Sequence, residues 1–454
     1  MSFISLNPAS GRRLAIRREH SATEIGHSVA RAAKAQSRWG ALAVAQRCRH
    51  LQRLARGLRQ NRDRLADLAT AEMGKPVTQA RAEVEKCALL CDYYATQGAA
   101  LLADERPVGA PANARVVHEP LGTILAIMPW NFPFWQVVRA AVPALLGGNT
   151  MLLKPAASVS RCTLALEQIF LRAGLPPGVF QVLLIGNDDV AALIADRRIR
   201  GVTLTGSTNA GKKVAALAGA AMKPGVYELG GSDPAIILGD ADVARAAEIC
   251  AQSRLLNSGQ SCVCAKRFIV VRPVRAEFER HFTARMAARH VGDPTDTATD
   301  VGPLARADLR DTLHRQVTAS VARGARILLG GTPLPGPGFF YAPTVLTDVR
   351  PGMPAFDEEL FGPVAAIISV RDTAEAIQVA NNSPYGLGAT LFTSNRSRAR
   401  KLARAIDAGC VFINDFARSS PELPFGGIKD SGHGRELGAW GARAFVNVKT
   451  IWEA

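Results

Sequence analysis

The spacing of apolar positions changes near residue 120, and the change divides the chain into a helical part and an alternating part. Before that point apolar residues recur every three or four positions among many charged ones, which predicts helices over 22–37, 43–73 and 77–103. Gly74-Lys75-Pro76 separates the last two of these helices. The first hundred residues are therefore predicted to be mainly helical.

Beyond residue 120, short continuous apolar runs alternate with helical patterns. The first series predicts strands at 123–128, 150–153, 179–184, 201–205 and 226–229, with helices at 134–146, 160–173, 187–195 and 208–220. A second series follows Glu228, with strands at 235–238, 267–271, 325–329, 364–370, 389–393 and 410–413 and helices at 243–256, 275–289, 306–322, 372–381 and 395–406. This alternation predicts an α/β fold with a Rossmann-like parallel sheet, covered by helices on both faces, and a second α/β domain.

The composition is that of a globular protein. With 454 residues, 48% hydrophobic and 21% charged, the chain is long enough for two or three domains. Its eight cysteines are scattered rather than grouped as a disulfide framework, so we expect a reducing, cytoplasmic location. The sequence has neither an apolar run of the ~20 residues that span a membrane nor the pattern of a secretory signal. No membrane partner is therefore expected.

The net charge of +16 raises the alternative of a nucleic-acid-binding protein. The positive residues are mostly arginines spread through helical segments, without a basic tail or interleaved aromatic residues. This distribution favours a solvated surface, so no nucleic-acid partner is expected. The charge is also compatible with anionic small substrates.

The segment Asn257-Ser258-Gly259-Gln260-Ser261-Cys262 places a thiol in a short polar loop after a predicted helix. A thiolate attacks carbonyl carbon, and a carboxylate such as Glu228 can take a proton from water or from the thiol. An isolated cysteine is more often a buried packing residue. Cys262 and Glu228 together indicate covalent catalysis on a carbonyl substrate.

Two further segments follow predicted strands, where ligands of open α/β sheets bind. Met128-Pro129-Trp130-Asn131-Phe132-Pro133 contains an amide that can donate to an oxyanion, although two prolines also suit a simple turn. Gly206 to Lys213 nearly matches a phosphate-binding loop, but Lys213 occupies the position of the magnesium-binding hydroxyl. An NTPase is thus disfavoured, whereas a pyrophosphate at a helix N-terminus stays open.

Seven motifs occur along nearly the whole chain in the order typical of the aldehyde dehydrogenase superfamily. They are Pro129-Trp130-Asn131-Phe132, Leu153-Lys154-Pro155, Thr205-Gly206-Ser207, Glu228-Leu229-Gly230-Gly231, Gly259-Gln260-Ser261-Cys262, Glu358-Glu359-Leu360-Phe361-Gly362-Pro363 and Pro424-Phe425-Gly426-Gly427. The sequence resembles most the shorter bacterial NAD(P)-dependent succinate-semialdehyde dehydrogenases. The segments 115–135 and 229–234 and Cys264-Ala265-Lys266-Arg267 carry this narrower resemblance.

The resemblance implies a role for each matching residue. Cys262 would be the nucleophile that forms a thiohemiacetal and then a thioester, Asn131 the oxyanion donor and Glu228 the general base. The cofactor would be NAD or NADP, contacted by Met128, Pro129, Trp130, Lys154, Ala156, Ala157, Gly206, Ser207, Leu229, Glu359 and Phe361. Many NAD-preferring relatives carry a glutamate where this sequence has Ala157, so either nucleotide stays open. No metal is implied.

The substrate implied is an anionic aldehyde, succinate semialdehyde or a close ω-carboxylated one; glutarate semialdehyde and neutral aldehydes are the alternatives. Arg139 matches a carboxylate-binding arginine of that branch, and a guanidinium suits a carboxylate bidentately. A second arginine of the longer relatives is replaced by Leu256, so Arg254 and Arg418 stay open as substitutes. Ser419, Ser420 and Phe425 are expected near the substrate, and Cys264 is either a packing residue or a redox partner of Cys262.

The resemblance also implies the domain organisation. Residues 1–102 and 121–227 would form the cofactor-binding domain, and residues 228–435 the catalytic domain. Residues 103–120 and 444–453 would form a small β oligomerisation arm, which implies a homodimer or homotetramer.

Overall fold

A computed structural model describes residues 2–453 of the chain. The N-terminal part contains the hairpin β1 (Ser2–Leu6) and β2 (Arg13–Arg18) and the helices α1 (Ala22–Gly40), α2 (Val44–Gln60), α3 (Arg62–Met73) and α4 (Val77–Leu101). The prediction of a single helix over 43–73 is wrong, because the helix is interrupted at Asn61. The Asn61 side chain donates to the carbonyl of Gly57 at 2.8 Å and satisfies the end of α2.

A six-stranded sheet follows, as the first alternating series predicts. Its strands are β4 (Thr123–Met128), β5 (Thr150–Pro155), β6 (Phe180–Val182), β7 (Ile199–Thr205), β8 (Gly225–Glu228) and β18 (Gly432–His433). They lie in the order β18-β8-β7-β4-β5-β6, and all pairs except β18–β8 are parallel. The helices are α5 (Trp135–Leu146), α6 (Ser160–Arg172), α7 (Asp189–Ala195) and α8 (Thr208–Ala220).

The second series forms a seven-stranded sheet. Its strands are β9 (Pro234–Ile237), β10 (Arg267–Val271), β11 (Arg326–Leu329), β12 (Thr344–Thr347), β13 (Val364–Val370), β15 (Gly388–Phe392) and β16 (Cys410–Ile413), in the order β11-β12-β13-β10-β9-β15-β16. Only the β11–β12 pair is antiparallel within these described strands. The helices are α9 (Val243–Leu255), α10 (Arg272–Ala287), α11 (Ala307–Ala322), α12 (Pro354–Asp357), α13 (Thr373–Asn381) and α14 (Arg396–Ala403).

Short elements near the C-terminus connect these two layers. β14 (Tyr385–Gly386) pairs with β17 (Ile428–Lys429), and α15 (Gly438–Arg443) follows β18. Strand β3 (Ala114–Pro120) pairs antiparallel with β19 (Val446–Trp452), which brings together the two segments predicted to form an arm. Within residues 2–453, no helix is long and apolar enough to cross a membrane.

The direction of the strands decides where functional residues meet. β4, β5, β7 and β8 are parallel neighbours with buried interiors, so their carboxyl ends share one edge of the sheet. The segments that follow these strands face the loop between α9 and β10, which contains Cys262. This edge is the entrance to the site.

Candidate active site

The backbone of the loop before Cys262 has an unusual conformation. Asn257, Ser258 and Gly259 all have positive φ, at 56°, 55° and 77°. A Cβ atom on residue 259 would lie 2.3 Å from the carbonyl oxygen of Gly362, so only glycine fits there. Left-handed non-glycine residues cost on the order of 1 kcal/mol each and persist only where the surroundings impose them. The loop must therefore be held from outside.

Groups from two other regions, helix α4 and the segment just before α11, hold this loop. The side chain of Gln79 on α4 accepts from the N–H of Asn257 at 2.7 Å. The hydroxyl of Ser258 accepts from the N–H of Gly302 at 2.9 Å, and the amide of Gln260 accepts from the N–H of Ala305 at 2.9 Å. These contacts orient the peptide that leads into Cys262.

Arg254 is the central support of the same loop. Its fully buried guanidinium donates to the carbonyls of Gly259 and Ala265 on the loop and of Leu360 and Gly362 on the segment after α12. All four of these hydrogen bonds go to backbone carbonyls. The alternative that Arg254 provides a second contact to a substrate carboxylate is therefore wrong.

Cys262 and Cys264 occupy different surroundings. The thiol of Cys262 reaches both cavities of the site, whereas Cys264 lines neither. Cys264 is buried, and its Sγ donates to the carbonyl of Ser261 at 2.9 Å. Lys266 donates to the carbonyl of Cys262 at 2.7 Å and lies 3.4 Å from Glu359. Cys264 thus packs beneath the loop, and its redox role stays a prediction.

Asn131 lies directly beside the nucleophile loop. It follows β4, is buried, and donates through Nδ2 to the carbonyl of Gln260 at 3.1 Å. The Asn257 side chain donates to the carbonyl of Asn131 at 2.8 Å. One N–H of the Asn131 amide remains for a ligand in the adjoining cavity, which this residue lines.

Two cavities meet at Cys262 and Gln136. The larger has a volume of about 400 Å³ and the smaller about 200 Å³. The larger cavity is bordered by seven of the eleven residues predicted to contact a cofactor: Pro129, Trp130, Gly206, Ser207, Leu229, Glu359 and Phe361. The smaller cavity contains Arg139 and Phe425 of the predicted substrate residues.

Glu228 ends strand β8 and is buried without a hydrogen-bond partner among the described residues. Burial raises the pKa of its carboxyl well above the usual value. The positive charge of Arg139 opposes this shift, and the negative charge of Glu436 adds to it. Burial likewise raises the pKa of the Cys262 thiol to about 12, with Arg139 as the main opposing charge. One guanidinium thus favours the ionised form of both groups.

Arg139 on α5 forms a buried ion pair with Glu436, a residue that sequence reasoning did not single out. The guanidinium also lies 4.9 Å from the centre of the Phe425 ring and 3.5 Å from the hydroxyl of Thr205. Phe425 and Glu436 exchange two backbone hydrogen bonds of 2.8 Å, which fixes the carboxylate beside the arginine.

The remaining predicted cofactor residues lie at the ends of β4 and β5. Ala156 donates its N–H to the carbonyl of Met128 at 3.0 Å, and Ala157 begins the next helical turn. Burial lowers the pKa of Lys154, and the nearby carboxylate of Glu19 opposes that shift. These residues extend the same sheet edge beyond the larger cavity.

The larger cavity fits a dinucleotide in its chemistry. It lies across the carboxyl ends of parallel strands, beside the N-terminus of the 13-residue helix α8. A Cβ on Gly206 would meet only Leu204 at 3.5 Å, so the backbone there leaves room for a ligand. Within residues 2–453, no group of three or more His, Cys, Asp or Glu side chains is placed to hold a metal ion.

Comparison with known proteins identifies the family of this chain. The sequence profile described as the aldehyde dehydrogenase family matches residues 1–451. The chain belongs to the aldehyde dehydrogenase family. The family and the fold predicted from the sequence are therefore confirmed.

Individual aldehyde dehydrogenases are similar along their whole length. The Escherichia coli succinate semialdehyde dehydrogenase [NAD(P)+] Sad is 46% identical over 450 residues, which are 99% of this chain and 97% of that protein. A probable succinate-semialdehyde dehydrogenase [NADP(+)] from Synechocystis is 47% identical over 454 residues and all of both chains. The crystal structure of a Streptococcus pyogenes succinic semialdehyde dehydrogenase in complex with NADP+ has a TM-score of 0.97, at 37% identity and 99% coverage of both chains.

Helix α4 supplies residues of this aldehyde dehydrogenase that sequence reasoning missed. Glu83 is buried, forms an ion pair with Lys75, and accepts from the N–H groups of Phe134 and Trp135 at 2.9 Å. The carboxylate thus caps the N-terminus of α5, which carries Arg139. Lys86, one turn further along α4, borders the smaller cavity.

The segment after β16 places the two predicted serines differently. Ser419 borders the smaller cavity and accepts a hydrogen bond from Lys86 at 2.9 Å, whereas Ser420 bonds to Glu422 and does not line the cavity. Arg418 is exposed at the cavity rim and forms an ion pair with Asp415 at 2.7 Å.

Proposed function

We propose that this protein oxidises succinate semialdehyde, or a close ω-carboxylated aldehyde, to the acid with NAD or NADP. The observation that carries the proposal is the position of Cys262 between two cavities of different character. The larger cavity has the strand ends, helix N-terminus and Glu359 that suit a nicotinamide dinucleotide. The smaller has Lys86 and Arg139 among apolar walls, which suits a short aldehyde with a carboxylate.

The relatives support the same substrate and cofactors. Those named above are succinate semialdehyde dehydrogenases that use NAD(P)+ or NADP+. The Streptococcus pyogenes enzyme was crystallised with NADP+. In this chain Ala157 places no carboxylate three residues after Lys154, so nothing at that position would repel a ribose 2′-phosphate.

Acylation uses the thiol, the amide and the guanidinium. The Cys262 thiol gives its proton to solvent water, the charge of Arg139 stabilises the thiolate, and the thiolate sulfur bonds to the aldehyde carbon. The oxyanion of the resulting thiohemiacetal accepts hydrogen bonds from Asn131 Nδ2 and from the N–H of Cys262. A bound nicotinamide supplies the acceptor for the hydride, and loss of that hydride leaves a thioester on Cys262.

Deacylation depends on Glu228. Its carboxylate takes a proton from a water molecule, and the water oxygen attacks the thioester carbon and releases the acid and the Cys262 thiolate. Because the pKa of Glu228 is raised, the residue is a stronger base than an exposed carboxylate once it is ionised. The pairing of Arg139 with Glu436 leaves Glu228 without a fixed partner for this task.

We further infer that residues 1–102 and 121–227 are the cofactor-binding domain, residues 228–435 the catalytic domain, and β3 with β19 an arm between subunits. The exposed side chains of Val448 and Trp452 on β19 support a protein partner at that strand, which suits a homodimer or homotetramer in the cytoplasm. Light scattering of the purified protein measures the oligomer, and a monomer would contradict the arm.

Absorbance of the reduced nucleotide tests the function. Both nucleotides are crossed with succinate semialdehyde, glutarate semialdehyde and an uncharged aldehyde of similar length. We expect the highest kcat/KM with succinate semialdehyde and the lowest with the uncharged aldehyde. A preference of the native protein for the uncharged aldehyde would overturn the proposal.

A further inference from the structure

The smaller cavity is bordered by four cationic side chains, and three of them have carboxylate partners. Lys75 pairs with Glu83, Arg139 with Glu436 and Arg418 with Asp415. The fourth is Lys86, for which no carboxylate lies within ion-pair distance among the described residues. The cavity therefore carries one positive charge that the protein itself does not neutralise.

The surroundings of Lys86 hold its amino group at the cavity wall. Nζ donates to the hydroxyl of Ser419 at 2.9 Å and lies 4.2 Å from the centre of the Trp135 ring. An ammonium has three N–H donors, so two remain for a ligand. A partly buried ammonium without a counter-charge is costly, and an anion in the cavity would repay that cost.

Arg139 is less free to bind a substrate carboxylate. Its Nε is held by Glu436, and the guanidinium acts electrostatically on Glu228 and Cys262 as well. A substrate carboxylate placed there would compete with two buried carboxyl groups for one cation. Lys86 faces no such competition.

We infer that Lys86, assisted by the Ser419 hydroxyl, binds the distal carboxylate of the substrate and so determines specificity for ω-carboxylated aldehydes. This inference rests on the proposed function. In this assignment Arg139 mainly pairs with Glu436 and favours the ionised form of Cys262. The contact to the substrate carboxylate for which the sequence left Arg254 and Arg418 open is thus assigned to Lys86 on α4.

The kinetic test compares Lys86→Met with Lys86→Arg and with Lys401→Met, a matched change on the exposed surface of α14. A charge-assisted hydrogen bond of the usual strength corresponds to a rise of roughly 10- to 100-fold in KM for succinate semialdehyde. We expect that rise in Lys86→Met, partial recovery in Lys86→Arg, and unchanged values in Lys401→Met. The KM of an uncharged aldehyde should not rise in any of the three.

The experiment distinguishes a failure of the proposed function from a failure of the Lys86 assignment. If the native protein shows no preference for carboxylated aldehydes, the proposed function fails. If it does show the preference, and Lys86→Met keeps it, only the assignment of Lys86 fails. Should Lys86→Met not fold, Ser419→Ala removes the assisting hydroxyl; unchanged discrimination in that variant and in Lys86→Arg would likewise overturn the assignment.

A pH profile separates binding from a packing role. The groups around Lys86 are Glu83 and Cys87 on α4, Arg139 on α5, and Arg418 beside Ser419. Burial lowers the pKa of Lys86 to about 8, with the charge of Arg139 as the next cause. The ammonium is present below that pH, so KM for succinate semialdehyde should rise above about pH 8 in the native protein. Lys86→Met should lack that rise, and an identical profile in both would contradict the inference.

Discussion

Replacing Arg254 by methionine is the sharpest test of how the site is built. The guanidinium connects the nucleophile loop, through Gly259 and Ala265, to the segment that carries Glu359, through Leu360 and Gly362. One loop presents the nucleophile and the other borders the larger cavity. Methionine keeps much of the volume and removes every hydrogen bond.

The magnitude follows from the acceptors left behind. The carbonyl of Gly362 keeps a bond from the N–H of Val364 at 2.7 Å, and that of Gly259 keeps the Cys264 thiol at 3.5 Å. The carbonyls of Ala265 and Leu360 lose their donor, at about 1–3 kcal/mol each. Removing a buried charge offsets part of this sum, so we expect the free energy of unfolding to fall by about 2–4 kcal/mol.

The assays are thermal unfolding and the rate at which iodoacetamide alkylates Cys262, alongside turnover. With an unfolding entropy of about 2 cal/mol/K per residue, a chain of this length loses about 1 °C of Tm for each kcal/mol. Turnover should fall much further than that small change in Tm implies, because the loop loses its conformation locally.

Arg267→Met is the matched control. Arg267 is equally buried and donates to the backbone carbonyls of Ser232, Val379 and Ala380, away from the nucleophile loop. It should lower Tm by a similar amount and leave most of kcat/KM intact. Native turnover and native Tm in Arg254→Met would refute the reasoning, as would equal losses of turnover in both variants.

Three other substitutions or conditions test the assigned chemistry. Glu228→Gln should reduce steady-state turnover by about 10²–10⁴-fold. A rapid-mixing trace should still show an initial burst of one reduced nucleotide per subunit, and a trace without that burst would contradict a role confined to deacylation. Because the thiolate reacts and the pKa of Cys262 is about 12, alkylation should accelerate as pH rises from 7 to 9, and a flat rate would contradict that pKa. Ala157→Glu should raise KM for NADP roughly tenfold or more, because the new carboxylate repels the 2′-phosphate, and should leave KM for NAD unchanged. Equal changes for both nucleotides would place residue 157 away from the ribose.

The predicted site residues that the structure brings together share a topological property. Asn131, Gly206, Ser207 and Glu228 lie at or directly after the ends of three strands that the apolar pattern identifies. Parallel strands bring their carboxyl ends to one edge, so proximity follows from local sequence alone. Strand β12 was missed because only Val345 and Leu346 of its four residues are apolar, and because the strand directly follows Pro343.

The residues that sequence missed come from elements whose local signal points elsewhere. Glu83 and Lys86 belong to a helix rich in charged residues, a pattern that normally predicts exposure to solvent, and Lys75 lies in the short connection before that helix. Their burial depends on how α4 packs against α5. Glu436 lies between β18 and α15, where nothing local indicates a buried ion pair with a helix almost 300 residues earlier.

The charges inside the cavity also bear on how the product leaves. On the proposed assignment, substrate binding neutralises Lys86, and the pairs Lys75–Glu83 and Arg139–Glu436 contribute no net charge. Oxidation then creates a second carboxylate at Cys262, beside the buried carboxyl of Glu228, with no unpaired cation left to balance it. Two negative groups in a poorly solvated site repel strongly. The same charge balance that admits a monoanionic aldehyde therefore destabilises the dianionic acid in the site, so the reaction itself supplies the driving force for product release.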